Sequence, residues 1–144
     1  MTRPIVVDAS AAVEILTSTT RGKRLAELIP SSAELWVPAH FYAEVLGAIR
    51  HLHIVSRKIS LGVAERAISR MTRWHLRQAA IANLVEPAWN YRHNIPAGDA
   101  IYVALTQAID GSLLTDDHRL AETPTFPKHV PIIRLPIQRA GDKE

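Results

Sequence analysis

A chain of 144 residues, 47% apolar and 22% charged, is long enough to bury a hydrophobic core and too apolar for a disordered polyelectrolyte. It has no cysteine, which excludes a disulfide scaffold, a thiolate metal site and a cysteine nucleophile, and which suits a reducing cytoplasmic compartment. A net charge of +3 and a pI near 9.6 favour a polyanionic or acidic partner, and no apolar run approaches the ~20 residues of a membrane span or follows a signal-peptide pattern.

In chain order, Ile5-Val6-Val7 reads as a short buried strand that ends at Asp8. Ser10 is placed to cap a helix over residues 11–16, and residues 17–20 form a loop. Leu25, Leu28 and Ile29 mark a second short helix, stopped before Pro30. Residues 34–37 read as a strand. Pro38 then opens a helix with Phe41, Val45, Ile49 and Leu52 at helical spacing. Residues 60–74 form another amphipathic helix, and Arg66, Arg70, Arg73 and Arg77 predict a basic stripe along it. Residues 79–84 are too few to separate strand from helix. Residues 88–92 read as helix and 94–98 as a turn. A helix over 99–109 has Gly111 at its C′ position. Residues 112–115 and 130–134 complete the strands. Strands alternating with helices predict an α/β class with a parallel sheet. Residues 1–135 are expected to form one domain, with 136–144 a polar, frayed tail.

Four stretches each deliver an acid where a strand ends or a helix begins: Ile5-Val6-Val7-Asp8, Phe41-Tyr42-Ala43-Glu44, Gly98-Asp99-Ala100-Ile101 and Leu113-Leu114-Thr115-Asp116-Asp117. A lone carboxylate beside such apolar sequence is costly. Taken singly, Asp8 and Asp99 read equally well as helix caps, Glu44 as a solvent-facing residue, and Asp116 and Asp117 as turn residues. Taken together they point elsewhere. Ligands of parallel sheets bind beyond the carboxyl ends of the strands, and acids gathered there repel one another unless a cation lies between them. Hard oxygen donors without a nucleophile suit Mg²⁺ or Mn²⁺ and hydrolysis of a phosphate polyanion by an activated water. Competing chemistries lack their signatures. His51 and His53 are two apart, which separates them on a helix, and no HExxH, GxGxxG, GxxxxGK[ST] or nucleophile elbow occurs.

At these same residues the chain resembles the PIN-domain nucleases, and within them the VapC toxins of bacterial and archaeal toxin–antitoxin systems. The matching stretches are Val6-Val7-Asp8-Ala9-Ser10-Ala11, Pro38 through Glu44 to Ile49, His93-Asn94 through Asp99 to Leu105, and Leu113 through Asp117 to Leu120, in the family's order and spacing. The resemblance implies a three-layer fold around a central, mostly parallel five-stranded sheet. It implies Mg²⁺- or Mn²⁺-dependent cleavage of RNA, with Asp8, Glu44, Asp99 and Asp117 as the catalytic, metal-holding acids. Asp116 ranks below them as a further ligand, and Ser10 and Thr115 match as hydroxyls supporting the site. A homodimer and a cognate VapB-type antitoxin are also implied, in a cytoplasmic protein. Gly98 departs from the family, which often has an aromatic residue there. Trp36, Trp74 and Trp89 read as core, with antitoxin contact as their alternative use.

Other readings remain open from sequence. The chain fits a PIN-type nuclease of RNA processing, or a catalytically silent PIN module that binds a partner. A phospho-acceptor signalling domain also gathers acids around Mg²⁺, but it needs a lysine beyond a late strand. Here no lysine lies between Lys58 and Lys128.

Overall fold

The structure is a computed structural model and describes residues 3–136. Its centre is a five-stranded sheet of β1 (Ile5–Val7), β2 (Leu35–Pro38), β3 (Arg77–Ala79), β4 (Ser112–Leu114) and β5 (Ile132–Ile133). The strand order is β3-β2-β1-β4-β5 and every pair is parallel. β1 and β4 are central and buried along their whole length, which is why they are written in Ile, Val and Leu without alternation. The chain builds outward from β1 through β2 to β3, then returns to place β4 on the other side of β1. The order therefore reverses between β1 and β4, and the crevice beyond their carboxyl ends is where such a sheet binds ligands. Val7 pairs with Leu114, so Asp8 and Thr115 leave the sheet side by side.

The helices are α1 (Ala9–Leu16), α2 (Thr20–Glu27), α3 (Phe41–Arg50), α4 (Leu61–Arg73), α5 (Val85–Trp89), α6 (Ala97–Ala108) and α7 (His118–Ala121). α1 packs on α2, α3 and α4, and α3 packs on α4, while α6 packs on β1, β2 and β4. The contact of α1 with α2 is close enough to need a glycine. A Cβ on Gly22 would lie 1.9 Å from the Glu14 carbonyl oxygen. Thr19 caps α2 by accepting from the Gly22 amide, so the first turn of α2, which carries Arg21, is held beside the sheet's carboxyl end.

Several boundaries differ from the sequence expectation. α1 starts at Ala9, and Ser10 lies inside its first turn instead of capping it. Pro38 ends β2 instead of opening α3, since its missing N–H costs nothing at a strand terminus. α3 runs into a π-helical turn at His51–Val55. The basic stripe breaks after α4: Arg77 lies on strand β3, and Arg70 donates to the Ile15 and Leu16 carbonyls and to Ser18, tying down the end of α1. Residues 79–84 divide between the end of β3 and a 3₁₀ turn at Ala82–Leu84. At the end of α6 the left-handed residue is Asp110 (φ 51°), with Gly111 following it. The Gly111 amide donates to Thr106 and the Asp110 amide to Gln107, a Schellman motif shifted by one residue from the expected one. Trp36 and Trp74 are half-buried against the core, but Trp89 is 65% exposed. Of the expected polar tail, residues 136–144, all but Pro136 lie outside the described residues.

Candidate active site

Asp8 occupies the N-cap position of α1 but makes no capping hydrogen bond with its side chain. Its carboxylate is 3% exposed, and Oδ2 accepts from Ser10 Oγ at 2.7 Å and from Thr115 Oγ1 at 2.8 Å. Both hydroxyls are themselves anchored by backbone. The Asp116 amide donates to Ser10 Oγ and the Asp117 amide to Thr115 Oγ1, each at 3.0 Å. Helix α1 and the turn after β4 are thus stitched together through one carboxylate oxygen.

Asp117 caps α7, its Oδ1 accepting from the amides of Arg119 and Leu120. The sequence weighed a capping role for Asp8 and Asp99 and a turn role for Asp117, so this cap is an addition from the structure. Asp99 is not a cap, because Pro96 holds that position and Asp99 sits in the first turn of α6. Glu44 lies in the first turn of α3 with its side chain 36% exposed. Its Oε1 accepts from Tyr102 Oη at 2.7 Å and lies 3.3 Å from His40 Nε2.

The electrostatics tie these four acids into one group. Burial pushes the Asp8 carboxyl above the usual range. The Ser10 and Thr115 hydroxyls oppose that rise, and the charges of Asp117 and Glu44 add to it. Asp99 is pushed up to about 6, first by burial and then by Asp8, Asp117 and Glu44. Burial and the Glu44 carboxylate also push the Tyr102 phenol above its ordinary value, so it stays a hydrogen-bond donor. Asp116 is paired with a cation of the chain itself. Arg21 Nε reaches both of its oxygens at 2.7 and 2.9 Å, and Asp116 is not among the charges acting on Asp8 or Asp99. That ion pair in turn raises the proton affinity of Arg21.

Among the described residues, no three His, Cys, Asp or Glu side chains form a ready-made coordination shell. The donor set nevertheless fits a hard divalent cation. It is all carboxylate oxygen, two of its members hold protons more tightly than usual because of burial and mutual repulsion, and Mg²⁺ commonly keeps several waters between itself and its acids. Sequence reading missed Tyr102, His40 and the pairing of Arg21 with Asp116. The only hint for the first was a hydroxyl on the buried face of α6, three residues after Asp99.

Residues 5–125 match the PIN domain family. Ribonuclease VapC9 of Mycobacterium tuberculosis is 34% identical over 121 residues, which cover 83% of this chain and 90% of that protein. Ribonuclease VapC1 of the same organism is 33% identical over 132 residues, covering 90% and 97%. The crystal structure of M. tuberculosis VapC20, described as a sarcin–ricin loop cleaving toxin, superposes with a TM-score of 0.58 at 20% identity, over 79% of this chain and 90% of that one. A toxin–antitoxin complex from Klebsiella pneumoniae gives the same TM-score at 17% identity, over 89% and 99%. The chain belongs to the PIN-domain family, among relatives that are VapC ribonucleases.

Proposed function

We propose that this protein is a VapC-type toxin, an endoribonuclease that hydrolyses RNA phosphodiesters with a divalent cation, Mg²⁺ or Mn²⁺, held by Asp8, Glu44, Asp99 and Asp117. The observation that carries the reading is the electrostatic coupling of these four acids from four separate segments at the sheet's switch point. The relatives named as ribonucleases support the RNA-cleaving part of this reading.

When bound, the cation supplies Lewis-acid polarisation of a phosphate oxygen and a water of lowered pKa. The chain's own residues do the rest. Ser10 and Thr115 donate their hydroxyl protons to Asp8 and accept from the Asp116 and Asp117 amides, so both hydroxyls are committed to the site's own hydrogen bonds. They also fix the direction of the Asp8 carboxylate. The repulsion from Asp8, Asp117 and Glu44 that helps raise the proton affinity of Asp99 also favours a cation in the crevice, and a cation taken up below about pH 6 must displace the Asp99 proton. Asp116, engaged by Arg21, stands outside the proposed ligand set.

We further propose an antitoxin partner and a homodimer. Leu46 and Ile54 are more than half exposed and, with Ile49, Ala64 and Ile68, line a groove of about 360 Å³ between α3 and α4. Such a groove suits the apolar face of an antitoxin segment. Among the described residues no helix is long and apolar enough to cross a membrane, and an RNA substrate fits the cytoplasm.

The test is cleavage of a cellular RNA pool by the purified, partner-free chain with EDTA, Mg²⁺ or Mn²⁺. Cleavage in either metal, absent with EDTA and absent in Asp8→Asn, is the expected result. A folded protein inert in every metal, or an active Asp8→Asn, contradicts the reading.

A further inference from the structure

The two oxygens of Glu44 are treated differently. Oε1 accepts from the Tyr102 hydroxyl at 2.7 Å and faces His40 Nε2 at 3.3 Å. Oε2 lies over Gly98, where an added Cβ would sit 3.4 Å away. That is an ordinary van der Waals distance, so Oε2 stands directly against the open face of Gly98.

Tyr102 is fully buried on α6, one turn beyond Asp99. The helix that delivers one acid therefore also carries the group that holds another. Toward a carboxylate a phenol can only donate, so this bond pins Oε1. His40 stands one turn before Glu44, with its ring 5.1 Å from that of Tyr102. Its Nε2 faces two acceptors, Glu44 Oε1 and the Gly98 carbonyl at 3.2 Å, and so carries a proton. Its Nδ1 is then buried with no hydrogen-bond partner among the described residues. An orphaned buried nitrogen costs free energy, and here it is the consequence of aiming the other nitrogen at Glu44 and Gly98.

We propose that Tyr102 and His40 are positioning residues that fix Glu44 through Oε1 and offer Oε2, above Gly98, to a divalent cation or its water shell. This rests on the metal-site reading above. A tyrosine that merely filled the core would be replaced by phenylalanine with no effect on cation affinity. A positioning tyrosine would not.

The experiment is calorimetric titration of the purified full chain with Mn²⁺, for wild type, Tyr102→Phe, Glu44→Gln and the double variant, with the melting temperature as a check on folding. Tyr102→Phe is expected to weaken Mn²⁺ binding about tenfold, as loss of a ligand's supporting hydrogen bond does. In the Glu44→Gln background the same change should cost less than about twofold, because Tyr102 acts through Glu44. In RNA cleavage, kcat should fall with KM unchanged. If Tyr102→Phe does not fold, His40→Ala is read against His40→Gln, with weaker Mn²⁺ binding expected only in the alanine variant. Equal Mn²⁺ affinity in wild type and Tyr102→Phe, or in wild type and His40→Ala, overturns this inference and leaves the metal site standing. So does an undiminished effect of Tyr102→Phe in the Glu44→Gln background. A wild-type chain that takes up no Mn²⁺ overturns both.

Discussion

Asp8 and Glu44 face the same crevice but are held by different means. Asp8 is 3% exposed at the end of a central strand, and its oxygen receives two hydroxyls that backbone amides fix in turn. Glu44 is 36% exposed on a helix, and two side chains, Tyr102 and His40, hold it by one oxygen. The register of β1 against β4 sets the position of Asp8, so the sheet must shift for Asp8 to shift. Glu44 depends on single side-chain contacts and is the adjustable member of the group. A carboxylate delivered by a strand end is thus rigid by topology, whereas one delivered by a helix needs its own supports.

The largest effects should follow from neutralising Asp8 and Asp99, the two acids whose proton affinity burial raises. Asp8→Asn and Asp99→Asn are expected to lower kcat by about 10³-fold or more, because a cation at a phosphate oxygen is worth several kcal/mol of barrier. Both variants should still fold. Retention of even a tenth of wild-type cleavage would remove that acid from the machinery.

Thr115→Val comes next. Thr115 is fully buried, and its hydroxyl both donates to Asp8 and accepts from the Asp117 amide. The isosteric change leaves that amide and the carboxylate short of partners, a cost of about 2 kcal/mol in denaturant unfolding. A loss well below this would mean the hydroxyl network is dispensable to Asp8.

Asp99 supplies a pH signature. In the folded chain it keeps its proton up to about pH 6, whereas an unfolded aspartate loses it near 3.9. Between those values the folded state binds more protons, so this group makes stability fall as pH rises. Asp99→Asn should flatten that slope and stabilise the metal-free protein at neutral pH by about 1–2 kcal/mol, after allowing for solvent screening of a half-exposed group. An unchanged slope from pH 4 to 6 would contradict the coupling.

The smallest effect is expected at Asp116. With both oxygens engaged by Arg21, its replacement by Asn should lower Mn²⁺ affinity and cleavage by at most about threefold. A loss comparable to that of Asp8→Asn would return Asp116 to the ligand set.

The parts of this architecture that sequence revealed are those written in local pattern. Ile5-Val6-Val7 and Ser112-Leu113-Leu114 are apolar because central parallel strands are buried on both faces, so the acids after them stand out. β3 was not legible. Arg77-Gln78-Ala79 is an edge strand, and edges tolerate charge because one side meets solvent. Arg77 accordingly passed for the last residue of a helical stripe. Glycine at position 111 suggested the left-handed C′ residue of α6, but aspartate tolerates that conformation too, and Asp110 takes it. Tyr102 was hidden for another reason. It sits on the apolar face of α6, and its partner Glu44 is 58 residues away in the chain. No periodicity encodes a contact of that kind. His40 was likewise one of seven histidines until its ring met Tyr102.

On the proposed reading, Asp8, Glu44, Asp99 and Asp117 form one repulsive cluster that a divalent cation relieves. The most direct measurement is the melting temperature of wild type and Asp99→Asn at pH 7, each with EDTA and with saturating Mn²⁺. The account predicts that Mn²⁺ raises the wild-type value, that Asp99→Asn raises it without metal, and that Mn²⁺ then adds little. If Asp99→Asn leaves the metal-free value unchanged or lowers it, and the full Mn²⁺ shift persists, the four acids are not one site.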